Sequence, residues 1–261
     1  MERNKKYVKN ILKKEASFQD AKVVSAIRSE FAIFYQNNKE ANEYFDNFLK
    51  RLSGSLLVLG CGEVDITKYF LDKINQVIGI DISPKSIEKV NKIIKKKDLD
   101  EKVKVFVMDA HNLKFDNESF NAIIGHGILH HLIIEKAIYE IHRVLKKNGK
   151  ILFQEPLGLN PIINIFRKKT SHARTENEHP LKFKDFKLIK QYFQFKSQGF
   201  YLFTILSFGF KTFLRSEILY KISRCLFTKI DSLLLYIFPF LKYLCWIVII
   251  EGIESRNKKF F

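Results

Sequence analysis

The chain places several side chains capable of chemistry in three short stretches. His126 stands in "GHGILHH", just ahead of the pair His130-His131. Imidazole exchanges protons near neutral pH, so each of the three is a candidate general base, with packing or capping of the next helix as the structural alternative. Asp81 closes "VIGID" and Asp109 closes "VFVMD". A carboxylate at Asp81 can accept hydrogen bonds from both hydroxyls of a ribose, while Asp109 adds another polar group on the same edge or caps a turn. In "LLVLGCGEV", Gly60 and Gly62 let the backbone approach a ligand closely. Arg174, Glu178 and His179 lie in a polar stretch that suits an anionic or sugar-like acceptor as well as a solvated loop. No clustered carboxylates accompany the histidines in the chain, so no metal site is expected.

Alternating strand and helix patterns position these groups. "LLVLG" (56–60), "QVIGID" (76–81), "KVKVFVMD" (102–109), "FNAIIG" (120–125) and "GKILFQEP" (149–156) read as strands. Helices are expected over 65–73, from Ser83 as cap and Pro84 at the first position, and over 132–146 with Asn148-Gly149 as its stop. Strands separated by helical stretches imply right-handed crossovers and a mostly parallel sheet with helices on both faces. In such sheets ligands bind at the carboxyl ends of strands, where the glycine turn, Asp81, Asp109 and His126 all fall.

The 261 residues include 46% apolar residues, enough for a packed core and too many for disorder. Cys61, Cys225 and Cys245 are too far apart in sequence for a metal or redox motif, so free thiols are expected. The N-terminal "MERNKKYVKNILKKEASF" lacks the apolar core of a secretory signal, which points to a cytoplasmic location. The net charge of +17 fits an anionic partner, whether nucleic acid, membrane surface or phosphorylated substrate; simple lysine enrichment accounts for it equally.

In order and spacing, "LLVLGCG", "VIGIDIS", "VKVFVMDA", "FNAIIGHGILHHL" and "IHRVLKKNGKILFQEP" resemble the class I S-adenosylmethionine-dependent methyltransferases, particularly their small-molecule branch. The resemblance covers roughly residues 50–156. It implies an α/β, Rossmann-like sheet, mostly parallel with a final antiparallel strand, and S-adenosylmethionine as cofactor. Gly60, Cys61 and Gly62 would lie against its methionine part. Asp81 would bind the ribose, Ile82, Asp109 and Ala110 the adenine, and His126 and Gly127 would flank the methionine end. Two departures stand out: Val58 where many members carry an acidic residue, and Val64 where many carry glycine. A somewhat altered pocket is expected, with Glu63 or Asp65 as candidates to compensate.

Methyl transfer from a sulfonium is an in-line displacement in which alignment and desolvation supply much of the rate. A base is needed when the acceptor is a hydroxyl, and His126, His130 or His131 would serve. The expected acceptor is small or lipid-linked: an isoprenoid, a quinone precursor or a glycan intermediate. An RNA methyltransferase is the alternative that charge suggests, although no "NPPY"-like sequence follows the fourth strand. A non-catalytic binding protein that kept the fold is the alternative suggested by Val58 and Val64.

The organisation expected is a helical cap over 1–50, a cofactor-binding core over 51–208 with a lid at 156–182, an apolar helical insertion over 209–242, and a final strand and basic tail over 243–261. Residues 194–205 and 243–254 would form a terminal hairpin around the insertion, which reads as two helices. Pro239 and Lys242 interrupt the longest apolar run, 232–250, so surface attachment is favoured over a membrane span. Lys211, Arg215, Lys221, Arg224 and Lys229 border its apolar residues, which suits peripheral contact with an anionic membrane; a dimer interface or a cap over the pocket fits as well.

Overall fold

The computed structural model describes residues 13–18, 20–21, 38–169, 175, 178–212 and 214–255. Much of the expected N-terminal cap therefore lies outside the described residues. Within it, α1 (Lys39–Leu49) packs through Ala41, Phe45, Phe48 and Leu49.

The strands are β1 (Gly54–Leu59), β2 (Ile74–Asp81), β3 (Val103–Val107), β4 (Phe120–His126), β5 (Leu145–Pro156), β6 (Phe193–Phe200) and β7 (Ile247–Glu254). They form one sheet in the order β3-β2-β1-β4-β5-β7-β6. All neighbours run parallel except β7, which is antiparallel to both β5 and β6. Alternate side chains of β1 feed two cores. Leu57 and Leu59 join α3 (Ile134–Val144) and α5 (Phe183–Tyr192) on one face, while Leu56 and Val58 join α1 and α2 (Pro84–Lys96) on the other. Ser83 caps α2 by accepting from Ser86 N at 3.0 Å, with Pro84 in the first turn.

The expected helix over 65–73 does not form. Two 3-10 turns, Cys61–Glu63 and Ile66–Tyr69, replace it. The Asp65 carboxylate accepts from Thr67 N at 3.2 Å and Thr67 Oγ1 at 2.5 Å, a local closure that competes with the helix ladder. Lys97 Nζ then bonds both Asp65, at 2.7 Å, and Thr67, at 2.6 Å. Ile66, Thr67 and Tyr69 are buried, and their β-branched and aromatic side chains are poor helix formers. The later helix also ends earlier than Asn148-Gly149: Leu145 is already extended and paired with Phe120, and Asn148 sits inside β5 with a φ of 58°.

Of the expected strand over 194–205, only the first part forms. β6 stops at Phe200, and a 3-10 turn (Thr204–Leu206) leads to the short α6 (Ser207–Thr212). The insertion continues as α7 (Glu217–Ile237) and a 3-10 turn (Pro239–Leu244) before β7. The lid carries α4 (Pro161–Lys169). Among the described residues no helix is long and apolar enough to cross a membrane. The three cysteines are free.

One buried carboxylate ties the insertion to the sheet. Asp231 of α7 accepts from Leu202 N (2.9 Å), Phe203 N (2.7 Å), Thr204 N (3.1 Å) and Thr204 Oγ1 (2.7 Å), where β6 has ended. Asp231→Ala would leave these donors buried without an acceptor. It is expected to cost roughly 2–4 kcal/mol of stability in urea denaturation; a loss under about 1 kcal/mol would show that the anchor is redundant.

Candidate active site

The strand order reverses between β1 and β4, and the crevice there is lined from both sides. On the β1–β2 side, Gly60 turns the chain with a φ of 66°, and a Cβ there would meet Ile128 Cδ1 at 2.9 Å. Gly62 lies hard against α2 and Asp81: an added Cβ would sit 2.4 Å from Ser86 Cβ and 2.7 Å from Asp81 Oδ2. Gly62 N donates to Asp81 Oδ2, and Ser83 N donates to Oδ1, both at 2.9 Å. Val64 has φ −116° and ψ 148°, extended backbone that valine adopts without strain, so glycine is not required there. Val58 points into the core. Cys61 also turns inward, its thiol pushed well above the ordinary range by burial and by Asp81, so only its backbone can face a ligand.

Ile82 is half-buried beside Asp81, and Ala110 is buried. Asp109 is committed to His111, accepting from its backbone N at 2.9 Å and from Nδ1 at 2.6 Å. Burial works to raise Asp109, and these hydrogen bonds outweigh it and hold the carboxyl below its ordinary value. His111 Nε2 in turn accepts from Ile133 N at 2.8 Å, just ahead of α3, which places the imidazole proton on Nδ1.

On the β4–β5 side, Glu155 organises the chain that follows β4. It is fully buried near the end of β5. Its Oε1 accepts from Ile128 N (3.0 Å) and Leu129 N (2.8 Å). Its Oε2 accepts from His130 N (3.4 Å) and pairs with His130 Nδ1 at 2.8 Å. Burial pushes Glu155 up to about 7 against these donors. Burial, then the neighbouring His131, lowers His130 well below its ordinary value.

The three histidines therefore differ. His126 is packed against Phe45, ring centroids 3.8 Å apart, and burial lowers it to about 3. Its Nε2 has no hydrogen-bond partner among the described residues. His130 and His131 lie side by side, ring centroids 4.1 Å apart. His130 Nε2 is 3.9 Å from Glu178 Oε1, and His131 Nδ1 is 3.3 Å from Glu15 Oε1. Gly127 N donates to Gln154 O at 2.8 Å.

Of the lid residues, His179 N donates to His130 O at 2.8 Å, which with Glu178 brings the lid onto the histidine pair. Arg174 lies outside the described residues. The expectation that no carboxylates accompany the histidines fails in three dimensions: Glu155, Glu178 and Glu15 surround them, far apart in sequence. Ligand atoms of His130, His131 and Glu178 lie within 4.8 Å of one another. Glu155 was missed by sequence reasoning; the available signal was a carboxylate ending the apolar strand "ILFQEP". Arg167 was missed too, and its Nη1 holds the lid by donating to Leu157 O at 2.6 Å.

Residues 57–153 match the family described as a methyltransferase domain. Over these residues the chain carries a methyltransferase domain, on a Rossmann-like methyltransferase fold. It is similar to a demethylmenaquinone methyltransferase of Lactobacillus johnsonii, 27% identical over 128 residues, spanning 47% of this chain and 52% of that protein. It is also similar to an uncharacterized protein of Haemophilus influenzae, 38% identical over 77 residues, spanning 28% of this chain and 31% of that one. The chain thus spans about half or less of the curated relatives it matches. Among solved structures, geranyl diphosphate C-methyltransferase of Streptomyces coelicolor shares the fold at a TM-score of 0.58 and 14% identity, over 87% of this chain and 82% of that one.

S-adenosylmethionine is the cofactor of this methyltransferase domain, and the residues present fit it. Asp81, held by Gly62 N and Ser83 N, places a carboxylate at the end of β2, the group type that accepts from ribose hydroxyls. The Gly60–Gly62 turn presents backbone with no Cβ at either glycine.

The Glu155 environment yields a pH signature. Its folded-state value lies above the ordinary 4.5, so between 4.5 and about 7 the folded chain binds more protons than the unfolded one. Its contribution to stability is present at low pH and falls as pH rises through that window. Thermal melts of wild type and Glu155→Gln across the window should show a steeper decline in wild type. Parallel curves would mean that Glu155 titrates as an ordinary carboxylate.

Proposed function

We propose that the domain transfers a methyl group to a hydroxyl of a small or lipid-linked acceptor, with His130 as the general base. The observation that carries this reading is the pairing of His130 Nδ1 with the buried Glu155 carboxylate at 2.8 Å. An ionised Glu155 holds the proton on Nδ1 and leaves the Nε2 lone pair facing the lid side, toward Glu178. S-adenosylmethionine, when bound, supplies a methyl group already activated by its sulfonium. The chain's own residues do the rest. The Gly60–Gly62 turn and Asp81 hold the donor in line, and the lid resting on His130 excludes water. His130 Nε2 takes the hydroxyl proton as the acceptor oxygen forms its new bond. Glu155 and Glu178 offset the positive charge gained. His126 is less suited to the task, because it packs against Phe45 and its Nε2 meets no hydrogen-bond partner among the described residues, whereas His130 has Glu155 and Glu178 beside it.

Support for a lipid-like acceptor comes from the relatives. One is named for demethylmenaquinone, and a structural neighbour was solved with geranyl diphosphate. Labelled methyl transfer into cell extract, fractionated into lipid, RNA and soluble pools, is the deciding experiment. Label in the lipid pool is expected; label in RNA would establish the alternative that charge suggests, and none at all would favour a binding protein.

Three outcomes test the residue roles. Asp81→Ala should weaken S-adenosylmethionine binding by about 1–3 kcal/mol in calorimetry, and unchanged affinity would misplace the ribose end. His130→Ala should lower turnover about 100-fold while donor affinity holds. Turnover should rise with pH through about 7 as Glu155 ionises and fixes the His130 tautomer. Turnover abolished by a chelator and restored by a divalent cation would instead assign His130, His131 and Glu178 to metal binding.

A further inference from the structure

α7 carries an outward face that the fold leaves uncovered. Ile218, Ile222, Leu226, Leu233 and Tyr236 recur at helical spacing, and Phe240 follows in the next turn. Their exposures are 72, 62, 54, 59, 85 and 66%. Side chains this apolar usually turn inward, but α7 cannot rotate to bury them. Its opposite side holds Tyr220, buried against Phe208, and Asp231, fixed by the backbone N–H groups of residues 202–204. The exposure is therefore built into the way the helix is anchored.

Charge narrows what can cover this face. Lys229 lies within the stripe, Lys221 at its margin and Arg215 just before the helix, all exposed. Two basic residues grouped with them on sequence grounds are already engaged: Arg224 grips Glu40 at 2.6 and 2.9 Å, and Lys211 pairs with Glu217 at 3.2 Å. Of the acidic residues on α7, Asp231 is buried and Glu217 is the one paired with Lys211. The exposed face is thus apolar and cationic, on a chain of net charge +17.

We propose that the outer face of α7 and the turn after it form a docking surface for an anionic lipid bilayer. The helix lies in the interface with its apolar stripe among the acyl boundary and its lysines at headgroup level. It does not cross. At 21 residues it carries five charged side chains, Glu217, Lys221, Arg224, Lys229 and Asp231, and it is not apolar enough to span. A second copy of the chain fits less well, because twofold pairing would press Lys221 and Lys229 toward their own counterparts between two strongly cationic molecules.

The surface also adjoins the candidate site. Asn160 Nδ2, at the start of the lid, donates to Leu244 O at 2.7 Å, and α4 there exposes Ile162 and Ile165. The same lid reaches His130 through His179 N. A bilayer seated on α7 would therefore lie beside the segment that covers the histidine pair.

The test uses the full chain with vesicles of phosphatidylcholine alone or mixed with phosphatidylglycerol, without donor or acceptor, so it does not depend on the proposed reaction. Flotation is expected with the mixed vesicles and much less with the neutral ones, weakened but not abolished by high salt. Lys221→Gln with Lys229→Gln should lower affinity for mixed vesicles about 10-fold or more. Ile222→Glu with Leu226→Glu should remove the salt-resistant part, with an unchanged melting curve because both positions are exposed. Failure to float, or flotation equal for wild type and both double variants, would overturn the proposal. A dimer in solution that the Glu variant dissociates, without vesicle binding, would assign the face to a second copy.

Discussion

The turn that follows β4 depends on a buried carboxylate solvated by backbone. Glu155 is buried away from solvent, and the chain after β4 supplies it with N–H groups from three successive residues, 128–130. Forming those bonds dictates the path of the turn, and the path sets His130 against the same carboxylate. Ile128, held in this turn, packs under Gly60, so the glycine turn of β1 and the histidine turn of β4 are fitted to one another. The carbonyl of His130 then receives the lid. A charge that is costly to bury becomes tolerable because four donors surround it, and the same donors give the site its shape.

The turn that follows β1 solves a different problem. Where a helix would ordinarily follow the glycine turn and offer its N-terminal N–H groups, this chain has two 3-10 turns held by Asp65, Thr67 and Lys97. The N–H of Gly62 is turned onto Asp81 instead. Asp81 thus fixes the turn from the end of β2, the strand next to β1 in the sheet. Ser83, beside it, caps α2 and also bonds Asp20 at 2.5 Å, so the N-terminal segment reaches over this side as Glu15 reaches over His131.

The C-terminal insertion separates two strands that pair with each other. β6 and β7 are antiparallel neighbours, yet α6, α7 and a 3-10 turn lie between them in sequence. Asp231 makes this geometry stable by taking up the backbone N–H groups released where β6 stops. The cost is an outward face that the domain itself does not cover.

Much of this was determined by the sequence alone. The short apolar runs specify the strands, the order of motifs specifies the methyltransferase sheet, and Ser83-Pro84 specifies the start of α2, because each signal is local. The placement of Asp81, Gly60 and Gly62 at strand ends was legible too, since the alternation of strands and helices implies strand direction. The missing helix after the glycine turn was not legible, since it was decided by Lys97, thirty residues from Thr67, and by burial of Tyr69 beside His126. Nor was the distinction among the three histidines, which are chemically alike as letters. Phe45 buries one, Glu155 orients another and Glu15 faces the third, and each partner comes from a distant segment. Only the tertiary structure decides such pairings, because desolvation and hydrogen bonding act through space, and the pKa and role of a side chain follow from whatever the fold packs against it.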